Sequence, residues 1–108
     1  MAKFDDFKAQ LLDGGRALVG STFKAGADEA RTIFENHLTD SEEKLKRWTQ
    51  LLAKGDLDKD EFKILINSQV TLGKMRLRVV SVIGKKSTMV FRESLRKLIV
   101  DTAFSVFL

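Results

Sequence analysis

Not one of the 108 residues is proline. Proline removes a backbone donor and clashes with the preceding helical turn, so a chain without it can carry long uninterrupted helices. Apolar residues do recur at helical spacing. Phe4, Phe7, Leu11, Leu18, Thr22 and Ile33 share one face, and Asp6, Asp13, Lys24, Asp28, Arg31 and Glu35 share the opposite one. The spacing predicts a helix over about residues 3–37. Gly14 and Gly15 mark the place for a kink, since glycine inside a helix costs roughly 1 kcal/mol against alanine. Gly15, Thr22, Gly26 and Ala30 lie near the apolar face, a pattern that favours close helix packing over a ligand loop.

A second helix is expected over 40–54. Thr39 with Glu42, and Asp40 with Glu43, both have capping-box spacing, and early acids suit the helix dipole. Leu45, Trp48, Leu51 and Leu52 supply its apolar stripe, and Gly55 stands where a left-handed residue ends a helix. A third helix begins at Asp58. Glu61 lies three residues on, and Leu57 and Phe62 have the spacing of a hydrophobic staple. The result is a tight hairpin turn at 55–58.

Beyond it, Leu65, Leu72, Val79, Val80, Ile83, Val90, Phe91 and Leu98 fall within an arc of about 120° on one continuous helix. Lys63, Lys74, Arg78, Lys85, Arg92 and Arg96 occupy about 60° on the other side. The rival is a β-hairpin pairing "RLRVVSVI" with "TMVF" through "GKKS", where β-branched residues are dense. Long-range periodicity favours the helix. The fold expected is therefore all-α, one domain, a bundle of three to four long amphipathic helices over 3–37, 40–54, 59–83 and 86–107.

Composition agrees with a globular chain, at 44% apolar and 31% charged residues. There is no cysteine, which removes disulfides and thiolate metal sites. The acidic start "MAKFDDFKAQLLDGG" does not read as a secretion signal, and the apolar tail "LIVDTAFSVFL" is shorter than the roughly 20 residues that span a bilayer. A cytoplasmic location is expected. Net charge is +4 but unevenly placed: residues 1–73 carry 11 basic and 13 acidic residues, and residues 74–108 carry 8 and 2. Such asymmetry points to an anionic partner or to attraction between the two parts.

Candidate chemistry is sparse. "GDLDKDEF" resembles the second half of an EF-hand calcium loop over about eight residues. With Gly55 at the sixth loop position, the first, third and fifth become Gln50, Leu52 and Lys54. Leucine cannot coordinate calcium and an ammonium repels it, so the resemblance stops at the turn. "GKKST" lacks the earlier glycine of a phosphate loop, since Val79 stands there, and Lys86 occupies the Ser/Thr position. His37 has no nucleophile or ligand set around it in sequence, and it reads as a helix-terminal residue. Trp48 reads as core. No cofactor and no metal are expected, and no enzyme.

The basic stripe Lys63, Lys74, Arg78, Lys85, Arg92 and Arg96 is the feature above background. It is a solvated helix face or a surface for an anionic partner. The tail is apolar nearly all round, and a terminal helix of that kind must be buried. Burial against a second copy would satisfy it, with Leu98, Ile99, Phe104, Phe107 and Leu108 as the self-association surface of a dimer. The function expected is a non-catalytic helical interaction or scaffolding module with an acidic protein partner. The alternative is a membrane-peripheral or membrane-active amphipathic protein on an anionic surface. Non-specific nucleic-acid binding ranks third, because aromatic residues are not interleaved with the basic ones.

Overall fold

The computed structural model describes residues 3–23, 26–71 and 85–108. Five α-helices appear there: α1 (Lys3–Thr22), α2 (Ala27–Asp40), α3 (Glu42–Lys54), α4 (Lys59–Thr71) and α5 (Lys85–Phe107). No strand occurs among the described residues. The all-α class is observed, and the count of three to four becomes five. One expected helix is divided, and the division has a local cause.

The helix expected over 3–37 breaks at Gly26 and not at Gly14–Gly15. Gly26 is left-handed, with φ 74° and ψ 18°, a conformation that glycine adopts without a steric penalty. Its carbonyl then accepts the first bond of α2, from Ala30 N–H at 2.9 Å. Gly14 and Gly15 stay inside α1, where neighbours lie close to them. A Cβ built on Gly15 would stand 2.0 Å from Cζ of Phe34, and one on Gly14 would stand 2.9 Å from a Leu98 methyl.

The capping boxes expected at 39–43 do not form. The helix does not start afresh there, because α2 continues to Asp40 and Ser41 keeps right-handed geometry. Ser41 N–H bonds to His37 O at 3.0 Å and Leu45 N–H to Ser41 O at 2.9 Å, so helical bonding runs on through the joint. Thr39 Oγ1 donates back to Glu35 O instead. Helices α2 and α3 are thus joined directly through Ser41.

The turn between α3 and α4 follows its sequence signals. Gly55 is left-handed at φ 84°, and Asp56 and Leu57 N–H both bond to Leu51 O. Asp58 N–H donates to Glu61 Oε1 at 3.0 Å, and Glu61 N–H donates to Asp58 Oδ1 at 2.8 Å, a reciprocal capping box. Gln50, Leu52 and Lys54 belong to α3, with Leu52 in the core. They are helix residues and not a metal loop.

Of the helix expected over 59–83, Lys59–Thr71 is α4, and residues 72–84, with Lys74 and Arg78, lie outside the described residues. The segment "TMVF", one arm of the alternative hairpin, lies within α5.

Helix α5 organises the core. Phe107 meets Phe7 at one end of α1 and Phe91 meets Phe23 at the other, so α5 and α1 run antiparallel. Phe91 also stands edge-on to Phe34 of α2, and Phe104 packs on Phe62 of α4. With its contacts to α3, α5 touches every other helix. Its 23 residues, at about 1.5 Å each, account for most of the 42 Å long axis.

Candidate functional site

The C-terminal half of α5 shows why the tail is apolar all round. Ile99, Val100 and Ala103 are buried, and Leu98, Phe104, Val106 and Phe107 are partly buried against the same core. Of the five residues assigned to self-association, only Leu108 is largely exposed, at 61%. The tail therefore needs no second copy to be largely buried. The chain itself surrounds α5, because α1, α3 and α4 pack around it.

What α4 and α5 leave open is an interhelical groove of about 480 Å³. Lys63 of α4 borders it on one side, and Glu93, Arg96, Lys97 and Asp101 of α5 on the other. Its floor includes Val100. Lys63 is held over the ring of Phe104, Nζ 6.0 Å from the centroid, and Lys59 shares that ring at 5.4 Å. A cation over a ring face is attracted by its quadrupole, which fixes the lysine's direction while its ammonium remains hydrated.

The predicted stripe divides on this frame. Lys63 and Arg96 are exposed and meet at the groove. Arg92 is half-buried. Lys85 lies in the first turn of α5, and Lys74 and Arg78 fall outside the described residues. Lys97, which the stripe omitted, lines the groove beside Arg96. So do the two carboxylates, which make the lining mixed in sign. Lys97 escaped the sequence reading because a helix continuous from Phe62 puts it at the edge of the apolar arc.

A second open groove, of about 540 Å³, runs between α1 and α5 on the other side of Lys97. Gly14, Ala17, Leu18 and Ser21 of α1 face Leu98 there. It carries less charge than the first groove.

His37 lies in the core. Its exposure is 6%, and Nδ1 has no hydrogen-bond partner. Burial holds the imidazole below its ordinary value, and the nearby Asp40 carboxylate pulls weakly the other way. No group of three or more metal-ligating side chains occurs among the described residues. No helix among them is long and apolar enough to cross a membrane.

The fold and the groove define an all-helical bundle with a charged interhelical cleft. The chain matches no protein-family model, no curated protein and no solved structure in comparisons with each. What the groove can do follows from its own residues.

Proposed function

We propose that the protein is a non-catalytic helical interaction module whose α4–α5 groove receives an acidic segment of a protein partner. The observation that carries this reading is the convergence of Lys63, Arg96 and Lys97 on one open groove. Three cations from two helices offer separate donors, and partial exposure leaves them able to exchange water for carboxylates. Glu93 and Asp101 stand among them, so a uniformly charged phosphate backbone would meet repulsion at two points. A peptide that alternates carboxylates with neutral or basic side chains would not. This favours a protein partner over nucleic acid.

The test is binding of a labelled acidic peptide to the full chain and to a Lys63→Glu, Arg96→Glu, Lys97→Glu variant. All three positions are exposed, so the variant should retain the fold, which circular dichroism checks. A loss of tenfold or more in affinity, with helicity unchanged, is expected. Equal binding by both proteins would refute the reading.

A membrane-peripheral role is the second reading, favoured by one observation. Met89 and Val90 are 60% and 49% exposed near the start of α5, one turn after Lys85. Co-sedimentation with phosphatidylserine vesicles but not neutral ones, lost in a Met89→Ser, Val90→Ser variant and kept in the charge-reversed one, would establish it over the first.

A further inference from the structure

His37 is the only histidine of the chain, and it takes no part in the α4–α5 groove. It sits in the last turn of α2, one turn before the Ser41 joint. The small cavity it borders holds about 10 Å³ and is walled by all five helices. Leu11 comes from α1, Phe34 from α2, Leu45 from α3, Gln69 from α4 and Leu95 from α5. The wall is almost wholly hydrocarbon. Its polar side chains besides His37 are Ser41 and Gln69, and these are engaged with each other, Gln69 Nε2 donating to Ser41 Oγ at 2.8 Å.

A neutral imidazole tolerates this place. An imidazolium does not, because its Nδ1–H would find no acceptor and its charge little hydration. A cavity of this size is at the lower limit for one water, far too small to hydrate a cation. We propose that His37 is an acid-sensitive lock on the bundle. Neutral, it fastens the α2–α3 joint at the meeting point of the five helices; protonated, it loosens that joint.

On α2 itself, Asp40 is the carboxylate that acts on the ring, and it eases protonation. Glu42, which opens α3, is held by Lys8 of α1. At the cavity, α4 presents Ile66 and Gln69 and α5 presents Leu95 and Ile99, none of them ionisable. Burial therefore outweighs the one favourable charge. The unfolded chain binds this proton more readily than the folded chain. Stability from this group is complete above about pH 6.5. It falls as pH drops through and below that value, and the loss levels off beneath the folded-state titration.

A single histidine makes the test unambiguous. Urea unfolding of the full chain and of His37→Gln is measured between pH 7.5 and 5, with the imidazole of the wild type followed by NMR. The wild-type unfolding constant should rise below about pH 6.5, by no more than about tenfold per pH unit. His37→Gln should lack that rise, and the wild-type imidazole should titrate below 6.5. Parallel profiles for the two proteins, or an imidazole titrating at or above its ordinary value, would overturn the proposal. If His37→Gln does not fold, the wild-type titration decides alone by the same criterion.

Discussion

Three glycines of α1 stand in three different surroundings, and alanine at each should have a different effect. Gly20 is exposed, with nothing within 4 Å of a Cβ placed there. Gly20→Ala should therefore return the helix-propensity difference of about 1 kcal/mol and raise Tm by several degrees. Gly15 is buried, and its Cβ would fall 2.0 Å from a Phe34 ring that is itself buried. Phe34 has little room to retreat, since Phe91 stands edge-on to it. Overpacking of this kind costs about 1–3 kcal/mol, so Gly15→Ala should lower Tm despite the better propensity. Gly14 lies between these cases. Its neighbour is the flexible end of the half-buried Leu98, which can move, so Gly14→Ala should fall between the other two in a thermal melt. At the same scale, Asp58→Ala removes one arm of a reciprocal cap and should cost about 1 kcal/mol in urea unfolding. That cap was legible in the sequence because Asp58, Glu61 and the preceding Gly55 form one local pattern. The same spacing at Thr39–Glu43 misled, because the burial of His37, Leu38 and Ser41 keeps the helix going, and burial is set by residues far along the chain.

Among the elements, α5 carries the most consequence. Its buried line runs Phe91, Leu95, Ile99 and Ala103, at helical spacing of four. Only Phe91 of these belongs to the arc that a single helix from Phe62 to Leu98 predicts, and Val90 of that arc is substantially exposed. The reason is phase. The arc assumed one helix, whereas Phe62 of α4 packs on Phe104 of α5, so these are two helices folded against each other and each turns its own face inward. Helix content survives such an error because it depends on period; the identity of each face does not, because it depends on phase. The basic stripe suffers for the same reason, keeping Lys63 and Arg96 at the groove while Arg92 turns half inward. A truncation distinguishes the two accounts of the tail. Deleting residues 99–108 removes Ile99, Val100 and Ala103 from the core and the Phe104 and Phe107 rings from Phe62 and Phe7. Loss of even one large core side chain costs about 2–5 kcal/mol, comparable with much of a small domain's stability. The truncated chain should have lost its cooperative melt by circular dichroism. A soluble, folded monomer would mean that the tail served another copy and not its own chain.

For the whole molecule, the charge asymmetry has two accounts that salt separates. Attraction between an acidic first part and a basic second part would stabilise the fold and weaken with ionic strength. Among the described residues, the ion pairs Lys8–Glu42, Arg16–Glu35 and Arg31–Asp28 each join two residues of the first part. Each is at least partly exposed, and pairs of that kind contribute about 0–1 kcal/mol. The large terms of the fold are apolar: four phenylalanines and the aliphatic residues around them are fully enclosed. Apolar burial is not screened by monovalent salt, whereas attraction between exposed charges is, with a Debye length of about 10 Å at 0.1 M. The midpoint of urea unfolding should therefore change little between about 0.05 and 0.5 M sodium chloride, a range over which exposed attractions are largely screened. Binding of an acidic peptide at Lys63, Arg96 and Lys97 should weaken steeply over the same range, since its attraction is between exposed charges. If stability falls with salt while binding does not, the basic residues of the C-terminal part serve the fold, and the groove needs another occupant. If the reverse holds, the net charge of +4 is a property of the surface, available to a partner at no cost to the core.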